Sequence, residues 1–215
     1  VKFDYKVLDE KLRLVAALRS DNYNVPNDSY FTYQFMGSYK FNPNNLVRLV
    51  YSKSNRGPFI VDSYTNYTTM DGPVRVSYLG NEALNLPIMN MIELGYRVNI
   101  SDKVLVDLEL FRTEMTDITT FEPTNLEFTP PTSLDLDYSY INNDLTSIQT
   151  GATFNVNWAP SSAIKFRFFG TLQQTRLENY DKKVSPVIID PGTGTLELPT
   201  YERQNTDHTH TPSFY

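Results

Sequence analysis

Alternation of apolar and polar residues, recurring in eight stretches along the chain, constrains it more than any other feature. A side-chain period of two belongs to the β-strand, whose successive residues point to opposite faces. In residues 31–41 one face reads Phe31, Tyr33, Phe35, Gly37, Tyr39 and Phe41, against Thr32, Gln34, Met36, Ser38 and Lys40. Residues 91–100 set Ile92, Leu94, Tyr96, Val98 and Ile100 against Met91, Glu93, Gly95, Arg97 and Asn99. Residues 148–158 set Ile148, Ala152, Phe154, Val156 and Trp158 against Gln149, Gly151, Thr153, Asn155 and Asn157. The chain opens in the same pattern, with Val1, Phe3, Tyr5 and Val7, and weaker versions run through 12–19, 46–53, 104–112 and 164–173. Eight strands are expected, most of them eight to eleven residues long.

Such lengths exceed the five or six residues of a usual strand and match the roughly 9–11 that a tilted strand needs to cross a bilayer. The connections carry more weight. Tight turns are predicted at 8–11, 42–45, 101–103 and 159–163, and between those hairpins lie long segments at 20–30, 54–90, 113–147 and 177–210. Short turns at one end and long loops at the other mark a transmembrane barrel. Compact soluble domains seldom hold several irregular loops beyond about 12–15 residues. Tyr39, Phe41 and Trp158 sit just before turns, where a barrel places its aromatic girdle. The fold class expected is all-β, an antiparallel up-and-down meander.

Composition narrows the function. A net charge of −6 leaves nothing to neutralise a phosphate backbone, so nucleic acid is not an expected partner. There is no cysteine, hence no disulfide framework and no thiolate metal site. Fifteen tyrosines and thirteen phenylalanines suit half-buried pleated surfaces. No apolar run reaches the ~20 residues of a spanning helix, which a barrel does not require.

Three stretches carry a family resemblance. Tyr51-Ser-Lys-Ser-Asn-Arg-Gly-Pro58 resembles the strand end and Arg-x-Pro of TonB-dependent receptor barrels. Gly80-Asn-Glu-Ala-Leu-Asn-Leu-Pro87, leading to Glu93-Leu-Gly-Tyr-Arg97, is similar to their Gly-Asn-x-x-Leu-x-Pro loop and the strand after it. Asp107-Leu-Glu-Leu-Phe111 with Thr116-Asp-Ile118 resembles the next strand and its exit. Ile88 departs from the pattern, since the family usually has Glu after this proline. The resemblance implies part of a 22-stranded barrel with a plugged lumen in the outer membrane of a Gram-negative bacterium. It implies uptake of a scarce ligand (an iron chelate, cobalamin or a glycan) driven through TonB. Residues 1–215 are then expected to be one partial barrel domain, with the signal peptide, plug and TonB-contacting segment elsewhere. The end at His208–Tyr215 lacks the alternation of a closing strand, so a fragment is expected. Outer-membrane lipid, a small-molecule or oligosaccharide ligand and the TonB complex are the implied partners. A soluble or secreted all-β binding module, or a porin without TonB coupling, are the alternatives.

Candidate chemistry is thin. On a strand His208 and His210 would share a face beside Asp207, and two imidazoles with a carboxylate can hold zinc, but exposed loop histidines are the default expectation. Asp135/Asp137 and Asp107/Glu109 invite a glycosidase reading, yet Asp107 and Glu109 alternate with Val106, Leu108 and Leu110 and more simply face a wet lumen. No nucleophile–base pair assembles, so neither catalysis, a metal nor a cofactor is expected. Gly192-Thr-Gly194 lacks the setting of a phosphate loop and is expected to be a turn, and the Asn-x-Ser/Thr triplets at Asn27, Asn66 and Asn99 are chance occurrences. Ligand contact is expected from the segment 54–90, through Arg56, Tyr64, Tyr67, Arg75 and Tyr78, because rings and cations suit sugars or anionic chelates. The same residues could instead pack that loop against its neighbours.

Overall fold

The computed structural model of the chain describes residues 1–57, 59–129, 133–183, 188–189, 196–197, 200–210 and 213–214. Pro58 of the Arg-x-Pro stretch, the Gly192–Gly194 segment and Tyr215 lie outside the described residues. In chain order the elements are β1 (Lys2–Val7), β2 (Leu12–Asn24), β3 (Asn27–Asn42), β4 (Asn45–Asn55), α1 (Ile60–Tyr64), β5 (Asn66–Asp71), β6 (Val74–Leu79), β7 (Ile88–Ser101) and β8 (Val104–Thr116). They continue as β9 (Thr119–Thr129), β10 (Ser133–Asn142), β11 (Thr146–Ser161), β12 (Ile164–Lys183), β13 (Ile188–Ile189), β14 (Leu196–Glu197), β15 (Tyr201–Thr209) and β16 (Ser213–Phe214).

The long strands form one antiparallel sheet in the order β1-β2-β3-β4-β7-β8-β11-β12-β15, with β16 also on β12. Each spanning strand pairs with the next one up or down, and the sheet ends on β1 at one edge and on β15 with β16 at the other. All eight strands expected from alternation are present, joined by the four predicted tight turns. At the first turn Leu8, Asp9 and Glu10 all adopt positive φ, a backbone state that non-glycine residues rarely hold.

Register explains the alternation. Lines of paired residues run Gly37–Leu49–Leu94–Leu110–Ala152–Leu172 and Tyr39–Val47–Tyr96–Leu108–Phe154–Gly170. A third runs Val98–Val106–Val156–Phe168, and Leu14 and Tyr5 extend the first towards the β1 edge. Paired residues share a face, so Phe31, Tyr33, Phe35, Leu94, Tyr96, Phe154 and Val156 all stand on one apolar side, while Gln34, Arg97 and Asn155 stand on the other. The apolar side is uncovered within the chain: Phe3 is 60% exposed, Leu110 57% and Phe168 51%. At the turn end Tyr39 meets Phe41 edge-on at 5.1 Å, Trp158 stacks on Phe166 at 5.3 Å, and the Tyr96 hydroxyl donates to Asn45 Oδ1. The girdle expected beside the turns is there.

The opposite side is polar and paired. Arg13 holds Asp4, Arg97 holds Asp107, and the Arg48 guanidinium lies between Glu93 at 2.5 Å and Glu109 at 2.7 Å. Pairs open to water contribute at most about 1 kcal/mol each, so they select register more than they supply stability. The Phe111 ring lies across Gly151, where an added Cβ would come within 2.4 Å of it.

Three expectations are corrected. Segment 20–30 is no loop: β2 and β3 pair as far as Asn24–Asn27 around Val25-Pro26, so this hairpin is short-turned at both ends. Most spanning strands are also longer than eight to eleven residues, reaching 16 in β3 and β11 and 20 in β12, while β4 keeps 11 and β1 has six. Above the apolar zone both faces are wet and alternation stops, although hydrogen bonding continues. Third, 177–210 is not simply a connection. The end of β12 and all of β15 lie in it, and among the described residues the sheet ends there on β15 with β16. The apolar zone also drifts. The line Tyr33–Lys53–Asn90–Glu114–Ile148–Arg176 lies inside the zone on β3, yet on β12 the zone stops at Leu172.

Candidate functional site

The segments 54–90 and 113–147 combine into one platform at the long-loop end of the sheet. Its frame is a four-stranded sheet in the order β5-β6-β10-β9. β5 and β6 form a hairpin about Gly72, whose φ of +58° suits glycine. β9 and β10 pair antiparallel, and the two hairpins join through a parallel pairing of β6 with β10, from Val74–Leu134 to Leu79–Ser139.

Gly80–Pro87 ties the platform to the spanning strands. A Cβ on Gly80 would lie 2.4 Å from the Ser63 carbonyl oxygen, so only glycine lets α1 rest directly on this backbone, where Gly80 N donates to Thr65 O at 2.6 Å. Asn81 N donates to Asp62 O, and the Asn81 amide donates to Tyr140 O at 3.0 Å. Asn142 completes the clamp: its amide donates to Asn85 O and Asp117 O, and its Oδ1 accepts from Asn85 N at 2.7 Å. Leu84 and Leu86 are buried, and Leu86 N donates to the Tyr30 hydroxyl of β3. The resemblance motif is therefore the knot of the platform.

The two faces of the four-stranded sheet differ sharply. One carries Arg75, Ser77, Asp135, Asp137 and Asn125: Arg75 donates to Asp135 at 3.1 Å and to Ser77, and Asn125 donates to Asp137. The hydrogen bond from Arg75 to Asp135, helped by the charge of both aspartates, holds the guanidinium pKa above its ordinary value. The other face carries a stair of rings. Tyr67 stacks on Tyr78 at 6.0 Å, Tyr78 on Tyr138 at 6.0 Å and Tyr138 on Phe121 at 5.5 Å, and Tyr140 meets Phe121 at 4.7 Å. Offset stacks of this spacing contribute about 0.5–1.5 kcal/mol each beyond area burial. Tyr67 is exposed at one end of the stair and Phe121 is 39% exposed at the other.

Of the five candidate ligand residues, Tyr67 and Tyr78 come together in this stair. Arg75 lies on the reverse face with its aspartates. Arg56 and Tyr64 sit at the base, Tyr64 exposed at the end of α1 and Arg56 bound to Asp62 at 2.8 Å with its guanidinium 4.6 Å from the Phe59 ring centre. Sequence reasoning missed Phe121, Tyr138 and Tyr140. The signal was present in Ser133-Leu-Asp-Leu-Asp-Tyr-Ser-Tyr140, which alternates as cleanly as any spanning strand.

Asp135 and Asp137 are engaged by Arg75, and Asp107 and Glu109 lie on the paired polar side of the large sheet. His208 and His210 sit at and just beyond the end of β15, edge to face at 4.8 Å, with His210 Nε2 2.7 Å from Thr175 Oγ1. Among the described residues no three histidine or carboxylate groups gather as a metal site. Farther along, Arg203 on β15 bridges Asp144 and Asp181, which fastens the β10–β11 connection to the extended β12. Its hydrogen bond holds the Asp144 carboxyl below the ordinary value of 3.8.

Comparison with known proteins agrees with this architecture. The family described as TonB dependent receptor-like, beta-barrel, matches residues 1–206. No curated protein matches the chain. Among solved structures, the siderophore receptor PirA from Acinetobacter baumannii is similar with a TM-score of 0.63 at 14% identity, over 86% of this chain and 31% of that one. A ferric enterobactin receptor, PfeA, from Pseudomonas aeruginosa, solved in complex with enterobactin, gives 0.64 at 11% identity, over 82% of this chain and 29% of that one. PirA from Pseudomonas aeruginosa gives 0.52 at 12% identity, over 96% and 47%. The chain thus spans about a third of the first two receptors, and the likeness at these identities is one of fold.

Proposed function

Because the chain belongs to the TonB-dependent receptor β-barrel family, we propose that it forms part of the wall and ligand-gathering loops of an outer-membrane importer in a Gram-negative bacterium. Members of this family are transporters and not enzymes. The apolar face meets lipid, the polar face meets the lumen, and the tight turns lie on the periplasmic side. Uptake of a scarce ligand is powered through TonB, which contacts a part of the receptor outside these residues. An iron chelate is the cargo best supported, since the structural neighbours are siderophore receptors.

The observation that carries the ligand-binding part of this reading is the ring stair. Tyr67 and Tyr78, joined by Phe121, Tyr138 and Tyr140, offer a continuous aromatic surface on the long-loop side. Planar chelates and sugars both bind such surfaces through stacking. Arg56 and Tyr64 stand apart from it at the base of the platform, and Arg75 braces the reverse face of the same sheet. The test is ligand binding and uptake by the full-length receptor carrying Tyr78→Ala and Phe121→Ala. A fall in affinity of tenfold or more, with the barrel still resistant to unfolding in detergent, is expected. Unchanged affinity in both variants overturns this assignment of the contact surface.

A further inference from the structure

The two histidines of the chain lie outside the ring stair and the ion pairs described above. Sequence alone expects them in a loop, yet the structure sets them on strand backbone. His208 pairs with Thr175 of β12, and His210 N donates to Gln173 O at 3.0 Å. Spaced i, i+2 on a strand, their side chains leave the same face. The Thr175–His208 pair ends the register line that runs from Gln34, so that face is the polar one. Between Gln34 and Thr175 this line carries no charged side chain. Asp207 stands on the opposite face, where its register partner is Arg176. The carboxylate next to the histidines in sequence is therefore not beside them in space.

The two rings meet at 87° with their centres 4.8 Å apart. Two imidazoles bound to one ion by bonds of about 2.0–2.1 Å, at angles of about 90–110°, have ring centres roughly 4.5–5.2 Å apart. The observed spacing falls inside that window. His210 Nε2 lies 2.7 Å from Thr175 Oγ1. A hydroxyl accepting the Nε2 proton leaves the lone pair on Nδ1, which is how an outer partner sets the tautomer of a metal-bound histidine. His208 is exposed and His210 half-buried, so ions in water reach the pair.

We propose that His208 and His210 form a binding site for one divalent late transition-metal cation, Cu²⁺, Ni²⁺ or Zn²⁺, on the polar face at the β15 edge. Imidazole nitrogens suit these ions, whereas calcium and magnesium require oxygen ligands. Two positions on the ion are filled by the protein nitrogens, and the others belong to water or to incoming donors. Copper binds most tightly of the three. The site depends only on the pairing of β12 with β15, so it stands or falls separately from the cargo assigned above.

The test uses the full-length receptor without a histidine tag, purified in detergent, stripped with a chelator and titrated with Cu²⁺. Calorimetry counts and ranks the binding steps, and electron paramagnetic resonance counts the nitrogens on the copper. One step is expected to weaken at least tenfold in His208→Ala and in His210→Ala, both still showing the heat-modifiable mobility of a folded barrel. Copper at that step should show hyperfine splitting from two imidazole nitrogens, which neither variant retains. Thr175→Val should weaken the same step about tenfold while keeping both nitrogens. A His208→Ala/His210→Ala receptor that binds copper with unchanged stoichiometry and affinity overturns the proposal, as does a spectrum of the unaltered receptor with no two-nitrogen site.

Discussion

The spanning sheet and the loop platform are built from the same chain and obey opposite rules. In the spanning sheet the large apolar side chains point outward and stay uncovered; among its described hydrophobic side chains only Val50 is buried. The platform buries Leu84, Leu86, Pro87, Ser63 and Ser77 beneath backbone clamps made by Asn81 and Asn142. One region is a single layer whose second layer must come from its surroundings. The other supplies its own second layer, as a small water-soluble domain does. Strand pairing follows the same division. The spanning sheet pairs each strand with the next in line, while the platform joins β6 to β10 in parallel across nearly sixty residues of chain. Two solvents, hydrocarbon and water, account for both contrasts.

This contrast breaks most visibly at the centre of the apolar zone. Leu108→Arg should destabilise the full receptor in lipid by about 2–4 kcal/mol, whereas Gln34→Arg on the lumen face should change it by less than about 1 kcal/mol. Unfolding in urea from lipid vesicles measures both, and equal effects would show that the faces have been assigned wrongly. Next in size is Gly80→Val. Overpacking against the Ser63 backbone should cost about 1–3 kcal/mol, confined to the platform. Hydrogen exchange should accelerate in α1 and β6 while β8 and β11 stay protected, and an equal rise in all four would mean that the two regions unfold together.

Tyr138→Leu sharpens the comparison within the platform. It removes two stacked contacts while keeping an apolar group, so a platform loss of about 1–2 kcal/mol is expected, with no change in the spanning sheet. The smallest effect is set by acidity. Asp144 is held below the ordinary carboxyl value by Arg203, so its contribution is complete above the unfolded-state value and is lost as pH falls through the lowered folded-state one. Proteolysis of the β10–β11 connection should therefore quicken only below about pH 4. In Asp144→Asn the pH-dependent step should disappear. A step centred near neutrality would point to another group.

The spanning strands were legible in the sequence because hydrocarbon on one side and a wet lumen on the other force a period of two. Phe31–Phe41 and Ile92–Ile100 could hardly fold otherwise. Their upper ends were illegible for the converse reason: from Ser20 to Asn24, or beyond Leu177, both faces are wet and polarity carries no period. The platform was hidden differently. Val74, Val76 and Tyr78 alternate, as do Leu134, Leu136, Tyr138 and Tyr140, but nothing local says that these two runs lie side by side. The ring stair therefore surfaced only by half, through Tyr67 and Tyr78. Arg75 looked like a ligand cation because its aspartate partners lie sixty residues away.

The drift of the apolar zone against the register lines fixes an angle. From β3 to β12 the upper border falls by at least the four residues between Arg176 and Leu172 over five strand-to-strand steps. That is about 13 Å along the strands for about 24 Å across them, using the usual rise and spacing. The bilayer plane therefore cuts the sheet at roughly 30°, near the tilt of strands that close into a cylinder. Leaning strands occupy more circumference than upright ones. With 22 of them at this slant the closed cylinder would be roughly 40 Å across, and the nine strands present here would sweep about 150° of its wall.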